Sequence, residues 1–585
     1  MRGGGVILSE VKLSNKFYEV KLLYDRDSPW IRPGRPWIKW YGNEYRIKWY
    51  GRPEGEVVRI PKTVEYPEIP IHVFGREAAE NFPNNVAIYY VPEERKYTYR
   101  ELMYWSDRIA AGLSDLGIGK GDAVGVYMAN CPEFVFSLYG ITQTGAAVIP
   151  INPLLKSPDI VHIAKDSGIL KAVICTSEIY PEVEKARDEV GFDEVIVVGD
   201  AKPGTTNYKE FVEKYPPKPP DVEINPKEDI CALMYTGGTT GLPKGVMLTH
   251  YNIVVNVLQS YLANTGDRTA EAFGKGVIAA VLPMCHVFGF TMVQGYVFAK
   301  SMMIMYRGFD PELVMKHIEQ YKCTTFIGIP LMYHVMINHP SFKKYDLSSL
   351  TLSVSGADSL PTHLSEKWKE KVGEHVGQGY GLSEASPVTH SQPVWLPKIS
   401  NSIGIPILDT DAKIIDPETG DELPPGNVGE LAIKGPQVMR GYWKQPERTK
   451  EVLSEDGWLR TGDLAQMNED GYFYIVGRTK DMIKYKGYKV MPEDVERELY
   501  KHPAVLECAV IGVPDPNVGE TIKAFIVLRP EYRGKVSEED IIKWAKESMA
   551  GYKWPRKVEF VEQIPRTPVG KLFRRKLREL EARKA

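Results

Sequence analysis

Eleven residues near the middle of the chain, 235–245, combine the chemical groups that hold phosphate. Written out, they are YTGGTTGLPKG, with four glycines, three threonines and one lysine. Backbone amides unshielded by side chains, hydroxyl groups and an ammonium group together wrap a polyphosphate well. The stretch therefore predicts a phosphate-binding loop; a glycine-rich hairpin without a ligand is the alternative.

This loop differs from the most familiar phosphate-binding loop, G-x-x-x-x-G-K-[ST]. Pro243 precedes Lys244 and Gly245 follows it, whereas the familiar loop has glycine before the lysine and a hydroxyl residue after it. The flanking segments ICALMY and GVMLTH are both typical of strands. The sequence therefore predicts strand, loop, strand, with no helix N-terminus facing the phosphates.

Five further motifs carry groups that suit nucleotide chemistry. They are QGYGLSEASP at 378–387, WLRTGD at 458–463, GRTKDMIKYKGYKVMPEDVE at 477–496, VIGVPDPNVGE at 510–520 and PRTPVGK at 565–571. With the loop, and in this order, they resemble the motifs of the adenylate-forming superfamily, which contains acyl-CoA and aryl-CoA ligases, peptide-synthetase adenylation domains and firefly luciferases. The resemblance begins near residue 70 and continues to the C-terminal region. Gly237 stands where the family usually has serine or threonine.

The resemblance implies a reaction in two steps. A carboxylate attacks the α-phosphate of ATP to give acyl-AMP and pyrophosphate, and the thiol of coenzyme A then attacks the acyl carbon and releases AMP. Thr239 and Glu384 would bind Mg²⁺, Tyr380 would stack on adenine, and Asp463 would accept hydrogen bonds from both ribose hydroxyls. The positions implied to bind ATP or AMP are Thr236, Gly237, Gly238, Thr239, Thr240, Gly241, Lys244, Gly356, Ala357, Gly379, Tyr380, Gly381, Ser383, Asp463, Arg478 and Lys571.

Lys571 is the residue that the resemblance assigns to adenylation. Its ammonium group would contact the carboxylate and the α-phosphate together and offset charge in the transition state. The alternative is an ordinary lysine of a basic tail, but the preceding PRTPVG turn favours a fixed position. The implied catalytic set is Lys571, Thr239, Glu384 and His286.

The motif at 477–496 resembles the family's hinge between domains. Lys480 occupies the hinge position, about which the C-terminal domain would rotate between the two steps. Lys484, Lys486 and Gly487 would then contact coenzyme A, with Gly487 leaving room for the thiol arm. A solvated charged surface is the alternative for these lysines.

The acid is expected to be larger than acetate. Members that act on acetate typically have tryptophan after the adenine-stacking tyrosine, and this chain has Gly381 there. His286, Val287 and Phe288 would complete an apolar acyl pocket, although a buried core histidine is the alternative for His286. A medium- to long-chain fatty acid is favoured over an aryl or hydroxyalkanoic acid. A luciferase-like oxygenase shares the motifs, and a non-catalytic nucleotide sensor of this fold remains the alternative from another class.

Composition indicates a globular protein whose partners are small molecules. The chain has 585 residues, 43% of them hydrophobic, and 73 basic against 76 acidic residues give a net charge of −3. No overall field favours nucleic acid or an anionic membrane. The six cysteines form no C-x-x-C pair and no apolar stretch is long enough to span a bilayer, so we expect a cytoplasmic protein, monomeric or homodimeric, without a transmembrane segment.

The elements that must position these residues fall into four regions. Residues 1–65 repeat IKWYG at 38 and 47 and predict a β-hairpin docked on the main body; a surface for single-stranded nucleic acid or lipid headgroups is the alternative. Strands alternating with helices from about 70 to 400 predict two parallel α/β sheets. Short strands at about 400–479 predict a small β-barrel subdomain, so that 66–479 forms a large AMP-binding domain. Residues 480–585 predict a smaller, mobile α+β domain.

Overall fold

The computed structural model of the protein describes residues 10–49, 52–236, 242–566 and 572–584. The chain forms two compact units. The large unit comprises Met1–Asp411 and Ile433–Leu459, and the small unit comprises Ala412–Ala432 and Arg460–Ala585. Much of the β-rich segment thus groups with the C-terminal residues, and the domain boundaries proposed near 65 and 480 stay predictions. No helix in the described part of the chain is long and apolar enough to cross a membrane.

The described residues of the N-terminal segment contribute five strands to the large unit. They are β1 (Glu10–Ser14), β2 (Glu19–Leu23), β3 (Glu44–Trp49), β4 (Arg52–Arg59) and β5 (Thr63–Glu65). β1, β2 and β5 form one antiparallel sheet, and β3 pairs with β4 as a hairpin. β3 thus includes the first three residues of the second copy of IKWYG, 47–49. The first copy lies in a 3₁₀ helix at Pro36–Trp40, because Pro36 lacks the amide hydrogen that a paired strand needs and suits the first turn of a helix.

The aromatic rings of this segment pack on the large unit. Tyr45 stacks on Trp395 with ring centres 4.5 Å apart, and the Tyr41 hydroxyl donates to the Pro406 carbonyl at 2.7 Å. Trp37 is completely buried. Stacking on Trp395 occupies a ring face that a nucleic-acid base would need.

Helices and strands then alternate along the chain. The first run consists of α1 (His72–Asn81), β6 (Val86–Tyr90), β7 (Arg95–Thr98), α2 (Tyr99–Asp115), β8 (Ala123–Tyr127), α3 (Pro132–Gln143), β9 (Ala147–Ile151), α4 (Ser157–Ser167), β10 (Leu170–Thr176), α5 (Tyr180–Val190), β11 (Glu194–Val198), β12 (Thr206–Asn207) and α6 (Tyr208–Lys214).

The second run begins at the strand before the glycine-rich loop. Its elements are β13 (Ile230–Thr236), β14 (Lys244–Thr249), α7 (His250–Thr265), α8 (Thr269–Ala272), β15 (Val277–Ala280), α9 (Val287–Phe298), β16 (Met302–Met305), α10 (Pro311–Tyr321), β17 (Thr325–Gly328), α11 (Pro330–Asn338), β18 (Leu352–Ser355), α12 (Thr362–Val372), β19 (Gly377–Gly381), β20 (Val388–Ser391) and β21 (Ile405–Pro406).

The remaining elements include those of the small unit. They are β22 (Asp411–Ile415), β23 (Glu422–Leu423), β24 (Val428–Lys434), β25 (Gly441–Tyr442), α13 (Pro446–Val452), β26 (Leu459–Met467), β27 (Phe473–Arg478), β28 (Ile483–Tyr485), β29 (Tyr488–Val490), α14 (Pro492–Leu499), β30 (Val505–Asp515), β31 (Gly519–Leu528), α15 (Glu538–Ser548), β32 (Lys557–Phe560) and α16 (Arg574–Ala582).

Two large, mainly parallel sheets confirm the predicted α/β class. One has the order β12-β11-β10-β8-β9-β13-β14-β25, and the other has the order β21-β20-β19-β18-β17-β15-β16-β6-β7. Antiparallel pairs lie towards the ends of both sheets, as in β13 with β14, followed by β25, and β19 with β20, followed by β21. Every residue of β8 and β9 is buried, because helices cover both faces of a parallel sheet.

The small unit is built mainly from antiparallel strands. The described pairings of the β-rich segment give an open five-stranded sheet, β23-β22-β24-β26-β27, where the sequence predicted a small barrel. Its outermost strand, β23, is only two residues long. It therefore offers few backbone groups with which the sheet could close into a barrel. The C-terminal α+β region has β29-β28-β31-β30, with β32 parallel to β31, and a core of its own.

Candidate functional site

The glycine-rich loop joins two paired strands, as the sequence predicts. β13 and β14 are antiparallel neighbours, and Thr236 lies directly opposite Lys244 at the loop end of the pair. Five of the predicted phosphate-binding residues lie outside the described part of the chain: Gly237, Gly238, Thr239, Thr240 and Gly241. The structure therefore fixes the two ends of the loop.

Helix α4 holds both flanks of this loop. His162 Nε2 donates to the Pro243 carbonyl at 2.8 Å, and the Tyr235 hydroxyl donates to the Asp166 carboxylate at 2.8 Å. Burial, followed by the Asp166 carboxylate, raises the pKa of Tyr235, so the hydroxyl keeps its proton. The loop thus begins and ends at anchored residues.

Glu384 lies in a 3₁₀ helix, Ser383–Ala385, that follows β19. Its backbone carbonyl accepts from the Met439 amide at 2.8 Å. Its carboxylate accepts from the Tyr442 hydroxyl at 2.8 Å, and Tyr442 pairs with Val246 across β25 and β14. The carboxylate is therefore oriented by a residue of β25, the strand that pairs with β14 after the glycine-rich loop.

Lys244 completes this cluster. Its ammonium nitrogen lies 4.0 Å from the centre of the Tyr442 ring, a cation–π distance. Burial lowers the pKa of Lys244, and the negative charge of Glu384 acts in the opposite direction. Burial and then the same carboxylate raise the pKa of Tyr442. One carboxylate, one neutral hydroxyl and one cation thus adjoin the predicted phosphate site.

Tyr380 and Gly381 occupy the end of β19. The Tyr380 ring meets the buried His390 ring edge to face, with centres 5.9 Å apart. A Cβ atom at Gly381 would lie 2.2 Å from the Pro387 carbonyl oxygen. The backbone of this turn therefore excludes any side chain at 381, which gives that glycine a structural reason independent of the acid.

The predicted acyl and nucleotide positions meet at Gly356. A Cβ atom there would lie 2.9 Å from the Phe288 ring and 3.7 Å from the Gly379 carbonyl oxygen. Ala357 follows with a φ of 71°, a left-handed conformation that costs energy for a residue other than glycine. The ends of β18 and β19 thus lie beside the first turn of α9.

His286 is the N-cap of α9 and is half-buried. Its Nδ1 accepts from the Phe288 amide at 3.3 Å, which leaves the proton of the neutral ring on Nε2. Asn130 supports the preceding turn, because its side chain donates to the Leu282 carbonyl and accepts from the Met284 amide, both at 2.9 Å. Capping a helix is a different role from that of a core histidine.

In the small unit, the predicted ribose-binding residues are paired with each other. Asp463 and Arg478 lie opposite one another on β26 and β27. Arg478 Nε donates to Asp463 Oδ1 at 2.9 Å, and the aspartate side chain is 9% exposed against 44% for the arginine. A fixed carboxylate beside a reachable cation suits a sugar with neighbouring phosphates.

The hinge and CoA positions follow β27. The pKa of Lys480 is lowered by loss of solvent and by Arg478, and Asp481 and Asp463 oppose this shift. Gly487 has a φ of 82° and an open Cβ direction, which fits the predicted need for space. Lys484 and Lys486 are exposed, as both the CoA role and a solvated surface require. Lys571 lies outside the described residues.

Sequence reasoning missed the groups that orient this site. Tyr442 is 58 residues from Glu384 along the chain, and His162 is 81 residues from Pro243. Neither stands at a spacing that suggests a shared role, since sheet pairing and helix packing bring them together. The only local signal at Tyr442 is the short aromatic sequence GYW within the β-rich segment.

The oriented carboxylate and the cation beside the glycine-rich loop suit a protein that binds nucleotide phosphates. A sequence model described as AMP-binding enzyme matches residues 75–443, and one described as AMP-binding enzyme C-terminal domain matches residues 494–571. The chain belongs to this AMP-binding enzyme family, among the acyl-CoA synthetases of the adenylate-forming superfamily, which are AMP-forming acid–thiol ligases.

Individual proteins agree with this assignment. The chain is 35% identical over 576 residues to a long-chain-fatty-acid–CoA ligase of Bacillus subtilis, covering 94% of this chain and 98% of that protein. It is 36% identical to a feruloyl-CoA synthase of an Amycolatopsis species, over 82% of this chain and 93% of that protein. The crystal structure of the anthranilate CoA ligase AuaEII with anthranoyl-AMP superposes with a TM-score of 0.77 at 29% identity, covering 88% and 98%.

Proposed function

We propose that this acyl-CoA synthetase activates a medium- to long-chain fatty acid. The observation that carries the proposed adenylation is the cluster of Glu384, Tyr442 and Lys244 at the loop end of the β13–β14 pair. It provides an oriented carboxylate and a cation beside the glycine-rich loop, which suits a bound polyphosphate.

Mg²⁺ is the metal that we assign to this site. Glu384 offers a hard oxygen donor, and the hydroxyl of Tyr442 fixes its direction; a carboxylate retains acceptor capacity after one such bond. Mg²⁺ is commonly held by one or two protein carboxylates together with substrate phosphates. When bound, Mg²⁺ would neutralise charge on the phosphates.

The residues of the chain then divide the work of the two steps. Lys244 and the loop hold the pyrophosphate that leaves when a carboxylate oxygen bonds to the α-phosphorus. Lys571 is proposed to bring the carboxylate and the α-phosphate together. In the second step the CoA sulfur bonds to the acyl carbon, the bond from that carbon to the AMP oxygen breaks, and the thiol proton leaves to solvent. Lys480 as hinge and Gly487 as part of the thiol path remain proposals.

Two observations support a fatty acid. The helix that begins at Val287 is apolar throughout its first turn, and Phe288 lies against Gly356 beside the nucleotide strands. The Bacillus subtilis relative is named for long-chain fatty acids and matches nearly the whole chain. An aryl acid is the second candidate, because the feruloyl-CoA synthase matches at a similar identity and the AuaEII structure holds an aromatic acyl-AMP.

The experiment is AMP release that depends on both ATP and CoA, measured over straight-chain acids of two to sixteen carbons and over aryl acids. We expect kcat/KM to peak in the medium- to long-chain range. A peak among aryl acids would favour the second candidate, and no acid-dependent AMP release would contradict the proposed function. Lys571→Ala should lose ATP–pyrophosphate exchange but retain CoA transfer from presynthesised acyl-AMP, whereas Lys576→Ala, in the same basic tail, should retain both.

We also place the enzyme in the cytoplasm. All six cysteines are unpaired thiols, and five of them are buried. Burial raises the pKa of Cys175, Cys285 and Cys323 to about 12, so these thiols stay protonated. Unpaired cysteines are typical of proteins that work in a reducing compartment.

A further inference from the structure

The N-terminal segment contacts two residues that lie at or next to the ends of the two stretches of chain forming the large unit. The chain leaves the large unit after Asp411 and again after Leu459. Arg32 contacts a residue at each place. Its Nε donates to Asp411 Oδ2 at 2.9 Å, and its guanidinium carbon lies 4.6 Å from the centre of the Trp458 ring. The proposed reaction assigns no role to this arginine.

Both contacted residues are well fixed. The Asp411 side chain is completely buried and also accepts from Arg35 Nε at 2.9 Å, with Arg35 itself 11% exposed. Trp458 is 8% exposed, and two hydrogen bonds of 2.9 Å tie its backbone to Ser454. A planar guanidinium group can bond a carboxylate and stack on an indole at once, which an ammonium group cannot do.

These residues begin two strands of one sheet. Asp411 is the first residue of β22, and Trp458 directly precedes β26. β22 and β26 are the two neighbours of β24. Arg32 therefore links the starting points of both strands that flank β24.

A short stretch of β26 leads from Trp458 to Asp463. Along it, the Thr461 hydroxyl donates to the Leu431 carbonyl at 2.8 Å, and the Gly462 amide donates to the Glu430 carboxylate at 3.0 Å. The Asp463 amide in turn donates to the Thr461 hydroxyl at 3.1 Å. Because an extended, hydrogen-bonded strand has little freedom to bend, a shift at its start moves the residues that follow.

We propose that Arg32 is a positioning residue for nucleotide binding, because it fixes the start of the strand that carries Asp463. This inference rests on the proposed function, in which Asp463 accepts hydrogen bonds from the ribose hydroxyls. It assigns the N-terminal segment a role in recognising the sugar. Loss of Arg32 should therefore weaken recognition of those hydroxyls more than it weakens any other property of the enzyme.

The test compares ATP with 2′,3′-dideoxy-ATP, which lacks both hydroxyls, by calorimetric titration of the full-length protein. We expect the unaltered protein to bind ATP about 10-fold more tightly than the dideoxy nucleotide, since two hydrogen bonds to a carboxylate are lost. In Arg32→Ala the ratio should fall to about 2, while kcat for AMP release at saturating ATP stays within about threefold. Arg35 still neutralises Asp411 in this variant, so the fold should persist.

Three further variants sharpen the result. Arg32→Lys keeps the charge and loses the stacked plane, so its ratio should lie near that of Arg32→Ala. Trp458→Leu removes the ring from the other side and should lower the ratio as well, which keeps the test valid if Arg32→Ala folds poorly. Arg26→Ala is the matched control, because Arg26 lies in the same segment, is 65% exposed and pairs with Glu65 at 3.2 Å.

The outcomes separate the two proposals. An unchanged ratio in Arg32→Ala and Trp458→Leu would overturn the positioning role and leave the proposed function intact. A uniform loss of kcat with an unchanged ratio would also overturn it, because that pattern reports fewer folded molecules. If the unaltered protein failed to bind ATP, or bound both nucleotides equally, the assignment of Asp463 within the proposed function would be wrong. The role proposed for Arg32 would then be wrong as well.

Discussion

At the scale of single residues, Glu384 is defined by its neighbours as much as by its motif. The Tyr442 hydroxyl donates to its carboxylate, and the Lys244 ammonium lies over the Tyr442 ring. Tyr442 therefore contacts both charged groups and holds them on the same side of β14. The glutamate and the lysine could be predicted from their motifs, but the tyrosine could not, because strand pairing alone brings it there.

Tyr442→Phe tests this arrangement. The ring and its contact with Lys244 should persist, but the hydrogen bond to Glu384 is lost. Since a hydrogen bond to a charged group contributes about 1.5–3 kcal/mol, we expect the Mg²⁺ concentration for half-maximal adenylation to rise about 10-fold. ATP–pyrophosphate exchange measured against Mg²⁺ concentration checks this.

Tyr127→Phe is the matched control for that measurement. Tyr127 is buried and its hydroxyl donates to the Leu155 carbonyl at 2.7 Å, away from Glu384. It should lose some stability without any change in Mg²⁺ dependence. An unchanged Mg²⁺ dependence in Tyr442→Phe would show that the hydroxyl does not orient a metal ligand.

At the scale of elements, the turn between β19 and β20 depends on backbone packed against backbone. The Pro387 carbonyl accepts from the Leu382 amide at 3.0 Å and lies where a side chain at 381 would begin. Asn256 of α7 holds the other side of the turn through two hydrogen bonds to the Val388 backbone, at 2.8 and 3.1 Å. The family resemblance assigns Gly381 to the acid pocket, whereas this backbone conformation favours glycine there for a reason independent of the acid.

Gly381→Ala should therefore destabilise the large unit, by about 1–3 kcal/mol, because the Pro387 backbone must move. Gly295→Ala is the control. Gly295 lies within α9, and apart from its chain neighbours and the backbone of its own helix no atom comes within 4 Å of the position that an alanine methyl group would take there, so alanine should be neutral or stabilising by up to about 1 kcal/mol. Calorimetric unfolding midpoints of both variants provide the comparison, and equal midpoints would contradict the proposed packing of the turn.

A cluster of charges joins two helices of the small unit. Arg574 of α16 pairs with Glu493 at 2.8 Å and with Glu496 at 2.7 Å, both on α14. Burial raises the pKa of Glu493 to about 7; Arg574 opposes this shift and the negative charge of Glu496 adds to it. The folded protein thus holds a proton on Glu493 that the unfolded chain, with an ordinary value of 4.5, releases earlier.

The sign of the pH dependence follows from this raised value. The stability that protonated Glu493 contributes is present below about pH 4.5 and is lost as the pH rises towards 7. Glu493→Gln should remove this loss, so that the variant gains on the order of 1 kcal/mol relative to the unaltered protein between pH 5 and pH 8. Unfolding midpoints across this range test it, with Glu498→Gln on the surface of α14 as control; parallel curves for all three proteins would refute the expectation.

Much of the element order could be predicted, because burial on both faces leaves uninterrupted apolar runs such as AVGVY in β8. The sheet that each strand joins could not be predicted. β6 belongs to the first run, yet it pairs with β16 of the second run in the nine-stranded sheet. Periodicity reports how a residue is buried, whereas the partner strand depends on contacts distant in sequence.

At the scale of the whole molecule, the N-terminal segment stabilises a buried turn far along the chain. Asp409 is completely buried and accepts hydrogen bonds from Thr63, Tyr66 and the Val64 amide at 2.6, 2.6 and 3.1 Å. Burial raises its pKa, and these donors act against that rise. The sequence predicted only that the segment docks on the main body. It did not indicate that Asp409 accepts hydrogen bonds from this segment.

Asp409→Ala should cost about 3–5 kcal/mol, since it leaves several buried donors without an acceptor. Asp27→Ala removes an aspartate of the same segment that is 89% exposed and lies 3.4 Å from Lys62, and it should change stability by no more than about 0.5 kcal/mol. Chemical denaturation of both variants makes the comparison. Equal stabilities would mean that the segment contributes little to the large unit.

The central claim is that the protein joins an acid to CoA through an acyl-adenylate. The measurement that tests it most directly uses a fatty acid labelled with ¹⁸O in both carboxylate oxygens, with mass spectrometry of the products. Because a carboxylate oxygen bonds to the α-phosphorus and leaves with it when the thiol attacks, we expect one ¹⁸O atom in AMP and one in the thioester. Label in inorganic phosphate, or AMP without label, would contradict the account.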